Sequence, residues 1–226
     1  DDIRVSGQPA ERWREHYQSA GEQRERFEKA WNESYPGAKA VRVEFPGLGD
    51  LEQSVVARGD LEIPAWGRPQ GGSSGGSSGG SSGASSGGSG DGDKGGTGAT
   101  GDLVLRPLGR DADLLRNYAR LSTRRYDLIL GFPWVNQEQV TLTLPPGLSV
   151  RRLPEARKLS TPFGQFDLSV QQTGSTLVVK ALLRVDRHRV SREEYPAFRR
   201  FCTEVDTAVT QELVVGHGAG KSPAQA

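Results

Sequence analysis

The chain has 226 residues, 34% of them apolar or aromatic, with a formal net charge of +1 and one cysteine. That length suits one medium domain or two small ones, and the lone Cys202 excludes an internal disulfide. No apolar run reaches the roughly 18 residues a membrane-spanning helix needs, and the near-neutral charge argues against a chain devoted wholly to nucleic acid.

The charge is uneven. Residues 1–70 hold 10 basic and 13 acidic side chains, whereas 103–226 hold 18 and 12. A basic, Arg-rich surface is expected in the later part. The opening DDIRVSGQPAERW has no signal-peptide pattern, and the absence of methionine points to a portion of a longer polypeptide.

Residues 9–34 are expected to form a helix, with Trp13, Tyr17, Ala20, Phe27 and Trp31 on one narrow apolar stripe. Gly21 weakens its middle by about 1 kcal/mol relative to Ala, and Tyr35-Pro36-Gly37 stops it. From Ala38 the period changes to two. Val41, Val43 and Phe45 alternate with Arg42 and Glu44 as a half-buried strand, and residues 52–63 form a second with a bend at Gly59. One helix and two strands make a thin core, so this part is expected to lean on residues further along.

Residues 71–102, GGSSGGSSGGSSGASSGGSGDGDKGGTGATGD, contain no large apolar side chain. A flexible coil is expected there. Closure entropy rises by only about 0.6 kcal/mol per doubling of loop length, so such a tract is tolerable inside a domain. It is expected to be a surface insertion between strands at about 52–63 and 103–108.

After the tract, residues 103–108, 126–134, 140–145 and 148–153 are expected as strands, with a short helix or irregular turn at 111–121. Val140, Leu142 and Leu144 share one strand face and the two threonines the other. In QFDLSVQQTGSTLVVKALLRV a hairpin centred on Thr173-Gly174 pairs Val170 with Leu177, Leu168 with Val179 and Phe166 with Ala181. Ser191 and Glu194 match a capping box before a closing helix, and Pro196 favours its start near that residue. Phe198, Cys202, Val205 and Val209 make its buried face.

The expected fold is therefore mainly β: an antiparallel sandwich or curved sheet, with helices at about 10–33 and 192–213 packed on it. By segments, 1–37 is a helical lead-in from an upstream domain. Residues 38–214 form a β domain interrupted by a disordered Gly/Ser-rich insertion at 69–102, and 215–226 is a disordered tail.

The order of the pieces resembles a known arrangement. A charged helix precedes YPGAKAVRVEF and DLEQSVVARGDLEIP; then come ARLSTRRYDLILGFPWVNQEQVTLTLPPGLSVRRLP, FGQFDLSVQQTGSTLVV and RVSREEYPAFRRFCTEVDTAV. This resembles the C-terminal portion of bacterial transglutaminase-like proteins, over about residues 20–214 without the tract. That family carries an N-terminal β domain of unknown function, a Cys/His/Asp catalytic-type domain and a C-terminal β domain. No position here matches the catalytic motif. The resemblance implies a non-catalytic accessory β module of a periplasmic or cell-envelope protein, with a binding or scaffolding role. Its implied partner is a protein or the upstream domain of the same polypeptide, with a glycan as another option.

Four groups of side chains are candidates for chemistry. Cys202, His188 and Asp206 are the residue types of a thiol triad, giving an alternative reading as a Cys-dependent enzyme fragment. Cys202 nevertheless sits on an apolar stripe, where a free thiol behaves as a small hydrophobe. Arg184, Arg187, Arg189, Arg192, Arg199 and Arg200 surround the last strand–helix junction and offer an alternative anion-binding role, set against a merely solvated rim. Trp13 and Trp31 belong to the helical stripe, whereas Trp66 and Trp134 flank Pro or Gly at strand ends and are freer to bind a ligand. Asp91 to Asp102 echoes a calcium loop but has Gly95 at the fifth position and no flanking helices, so neither metal nor cofactor is expected.

Overall fold

The computed structural model describes residues 1–33, 35–63, 68–69, 102–108 and 112–217. Where a helical lead-in was expected, the chain starts with strand β1, Asp2–Gly7. The strand alternates: Ile3 and Val5 are buried and Arg4 is exposed. Gly7 turns the chain into helix α1, Gln8–Tyr17, at φ 76°. A Cβ there would stand 2.4 Å from the Pro133 carbonyl oxygen, so only glycine fits this corner.

The single helix expected over 9–34 is two. α1 ends at Tyr17, a turn holds Gly21, and α2 runs Gln23–Asn32. The break rotates the stripe: Tyr17, Phe27 and Trp31 stay buried while Ala20 is exposed. Strand β2, Lys39–Glu44, also departs from strict alternation. A register shift between Ala40 and Arg42 buries Ala40 and leaves Val41 59% exposed, which corrects the face predicted from Val41, Val43 and Phe45. Strand β3, Val55–Glu62, follows.

Strand β4, Arg68–Pro69, and strand β5, Leu103–Leu105, pair antiparallel with Arg68 opposite Val104. Residues on either side of the Gly/Ser tract are thus neighbours, but the direct flank is β4 and not the 52–63 strand. Then come α3, Leu114–Tyr118, β6, Leu128–Ile129, and β7, Trp134–Thr143. Strand β8 is Leu148–Arg152, β9 is Arg157–Thr161, β10 is Gly164–Thr173 and β11 is Thr176–Val185. Strand β12, Arg189–Val190, helix α4, Tyr195–Val209, and strand β13, Leu213–His217, complete the described chain.

The fold is mainly β. Seven antiparallel strands form one sheet in the order β2-β3-β1-β7-β11-β10-β9. A four-stranded sheet runs β4-β5-β13-β8, and β6 and β12 make a two-stranded ribbon. The tail expected from 215 onward is instead partly strand, since Val215 and Gly216 lie in β13 between β5 and β8. Residues 218–226 lie outside the described part.

The β10–β11 hairpin keeps the predicted faces in a different register. Thr173 opposes Thr176, so Val170 meets Val179, Leu168 meets Ala181 and Phe166 meets Leu183. The turn is Gly174-Ser175, one position later than expected. Shifting each partner by two residues preserves the alternation, which is why the hydrophobic pattern alone did not distinguish the registers.

Helix α4 begins at Tyr195, as Pro196 requires. The turn before it closes as a reciprocal capping box: the Glu194 amide donates to Ser191 Oγ at 3.2 Å, and the Ser191 amide donates to Glu194 Oε2 at 3.1 Å.

Two apolar clusters result. The larger joins β7, β10, β11, β13, α3 and α4; the smaller holds Ile3, Val5, Ala10, Tyr17, Phe27, Trp31, Val55 and Ala57. Phe45 ties the smaller one together, stacked on Tyr17 at 4.2 Å and edge-on to Phe27 at 6.3 Å.

Gly59 of β3 lies directly under Phe27, and a Cβ there would come within 2.4 Å of the ring. Phe27 is fully buried and cannot retreat into solvent. Gly59→Ala is therefore expected to destabilise the protein by about 1–3 kcal/mol through overpacking. Denaturant melts of the two proteins check this, and equal midpoints would contradict the close approach.

Candidate functional site

The two clusters meet at the junction of β1 and β7, and there the sheet face changes character. Residues directly opposite in an antiparallel pair share a face. Ile3 stands opposite Glu138 and Val5 opposite Asn136. On the far side of β7, Ala181 of β11 opposes Glu138 and Leu183 opposes Asn136. Two polar side chains, the exposed Asn136 and the buried Glu138, thus share this sheet face between Trp134 and Val140 of the same strand.

A cavity of about 330 Å³ lies over this floor. Pro9, Arg12 and Trp13 of α1 form one wall, and Leu114, Asn117 and Tyr118 of α3 another. Val205 and Val209 of α4 close the back, with Phe166 beside them. Glu138 is only 8% exposed, and among the described residues it is the one buried charged side chain. Tyr118 stacks on Trp134 with ring centroids 5.1 Å apart. Burial pushes the Tyr118 hydroxyl above its ordinary pKa, while the nearby Arg12 guanidinium acts in the opposite sense.

Helix α3 is too short to hold itself in place by propensity. It is held by α4: the Asp206 carboxylate accepts the Leu114 amide at 2.9 Å and the Leu115 amide at 2.8 Å. This wall of the cavity is therefore tied to the main helix through one side chain. The Asp206 carboxylate is thus engaged with the first turn of α3.

Cys202 is fully buried among the core residues of α4. Burial, with the Asp206 carboxylate adding to it, pushes its thiol up to about 12. That is opposite to the electropositive, accessible setting of a nucleophilic thiol. His188 is exposed, and its backbone carbonyl accepts the Leu130 amide at 2.7 Å.

Four of the late arginines engage acceptors close by. Arg184 Nε lies 2.5 Å from Asp186, and Arg187 reaches the Pro162 carbonyl at 3.0 Å and Glu194 at 3.5 Å. Arg189 Nε donates to Asp127 at 2.7 Å, the Arg192 amide donates to the same carboxylate at 3.0 Å, and the Arg192 side chain pairs with Glu193. The Asp127 carboxyl is held below its usual range by the Arg189 hydrogen bond and then by the Arg192 amide. Arg199 is half-buried and Arg200 exposed on α4.

Trp134, expected at an exposed strand end, is buried and lines the cavity wall. Trp66 lies outside the described residues, as does most of the Asp91–Asp102 segment. Asp102 itself is described, with Oδ1 3.8 Å from Arg151 Nε. Among the described residues no three His, Cys, Asp or Glu side chains are grouped to hold a metal. Nor is any helix among them long and apolar enough to cross a membrane.

Arg12, Asn136, Glu138 and Tyr118 were not anticipated as site residues. One signal was available. WVNQEQV places Asn136 and Glu138 on the same alternating face as Trp134, Val140 and Leu142, and polar residues on the inward face of a strand mark a departure from pure packing.

The fold and cavity define a mainly β domain with a polar-floored pocket. Residues 102–215 match the family described as a domain of unknown function with a solved structure, DUF3858. The chain belongs to that family. Among solved structures it is similar to a crystal structure named "putative protease" from Parabacteroides distasonis, with 17% sequence identity and a TM-score of 0.44. The match covers 51% of this chain and 23% of that one. No curated protein matches the sequence.

Native Cys202 is expected to resist a thiol-specific reagent such as 5,5′-dithiobis(2-nitrobenzoate), and to react once the protein is unfolded in denaturant. Rapid labelling of the native protein would contradict the buried, protonated thiol.

Proposed function

We propose that the chain is a non-catalytic binding module, the accessory β portion of a transglutaminase-like envelope protein, with the cavity over β1, β7 and β11 as its ligand seat. The observation that carries this reading is the buried Glu138 carboxylate on a largely apolar sheet face, with the exposed Asn136 beside it. A buried carboxylate costs several kcal/mol in desolvation, and apolar side chains of similar volume are often as good or better for stability. Polar groups at such positions, beneath aromatic walls and beside open volume, fit recognition better than packing.

Two further features support the non-catalytic part. The thiol of Cys202 is protonated and enclosed at neutral pH, and the Asp206 carboxylate is engaged with the α3 amides. The local pairing of Arg184, Arg187, Arg189 and Arg192 with carboxylates and carbonyls weighs against an anion-binding module. The accessory position rests on the order of sequence pieces that resembles transglutaminase-like proteins.

A fragment library screened by ligand-observed NMR tests the seat. Bound fragments are expected to perturb the indole signals of Trp13 and Trp134. They should lose binding in Ala181→Leu, which fills the space beside Glu138. Hits that persist in that variant, or that leave both indoles unmoved, would refute the assignment.

A further inference from the structure

Resting on the reading of the cavity as a ligand seat, we infer that it takes one uncharged saccharide ring. Four properties of the lining lead there.

Charge comes first. The cavity carries one carboxylate, Glu138, and one guanidinium, Arg12, so its formal charges cancel. A strongly anionic or cationic ligand would meet a repulsive partner as well as an attractive one. A neutral ligand rich in hydrogen bonds meets none.

Hydrogen-bonding capacity is the second property. Glu138 only accepts, Arg12 only donates, and the amides of Asn136 and Asn117 do both. A hydroxyl group is itself donor and acceptor, and vicinal hydroxyls present the two functions side by side. A purely apolar ligand would use none of these donor and acceptor functions.

The third property is the aromatic walls. Trp13 comes from α1, while Tyr118 and Trp134 form a stacked pair from α3 and β7. Their rings offer broad apolar faces with polar tips, suited to a ligand that is apolar across its C–H face and polar round its rim. Size is the fourth. About 330 Å³ is close to the lower end of the ~300–1,000 Å³ range of small-molecule sites, which fits a single ring and excludes an extended dinucleotide.

The test uses the whole chain. Calorimetric titrations with glucose, galactose and N-acetylglucosamine are run beside serine and glutamine, at low and high salt. At least one of the sugars is expected to bind saturably, with an affinity unchanged by salt because no net charge is neutralised. Asn136→Ala and Glu138→Gln should each weaken it about tenfold or more, the loss of one or two hydrogen bonds. Asn117→Ala, an exposed position, gives a second reading should Glu138→Gln fail to fold. Binding of the amino acids without the sugars would overturn the ligand class and leave the seat standing. Sugar binding undiminished in Ala181→Leu would overturn the site. If no sugar binds while the fragment screen gives cavity hits, the saccharide inference falls alone; if neither gives a hit, both readings fall.

Discussion

The pairing of β1 between β3 and β7 is the constraint on which the rest of the structure depends. Asp2 to Val5 bond to Val55–Arg58 on one side, and Asp2 to Gly7 bond to Trp134–Gln139 on the other. Among the described residues β1 is the strand that joins the β2–β3 pair to β7 in one sheet. A two-stranded ribbon with its helices is at best marginal alone, so the aromatic cluster around Phe27 depends on this six-residue strand being in place. Gly7, pressed against the Pro133 carbonyl, fixes where β1 ends and how α1 returns across the sheet.

The same pairing produces the cavity. β1 supplies Ile3 and Val5 to the core face, α1 packs on β1, α4 packs on β10 and α3 lies against α4, and the cavity is lined by residues of all three helices. The floor of that cavity carries Asn136 and Glu138, flanked by Trp134 and Val140 on the same strand. Chemistry and packing are therefore separated in space: Cys202 and Asp206, which have the residue types of catalysis, serve the interior and the anchoring of α3. Asn136 and Glu138, which look like ordinary strand residues, face the open volume. The arginines flanking α4 form a locally compensated rim.

Much of the β architecture was legible from sequence because alternation is a direct consequence of the pleat. Val140, Leu142 and Leu144 were assigned to one face, and those three are buried while Thr141 and Thr143 are exposed. The capping box at Ser191 and Glu194 was equally local and equally visible. What escaped notice depended on distant partners. DIRVSG offers only two inward residues, too few to outweigh the long helical pattern that follows it, and its role as an interior strand comes from β3 and β7. β13 was hidden because LVV follows the helix without a strong breaker. The bulge at Ala40 and the register at Gly174 are set by partner strands, and a period-two pattern cannot report either. The site was missed because its residues come from α1, β7 and α3, which only the tertiary structure assembles.

The central claim is that chain from both sides of the Gly/Ser tract folds as one cooperative unit through β1. Replacing residues 71–101 by a short turn and following thermal unfolding by calorimetry tests it most directly. Because β4 and β5 already lie side by side, one transition is predicted, with a melting temperature close to that of the parent chain. Two separate transitions, in either protein, would contradict it.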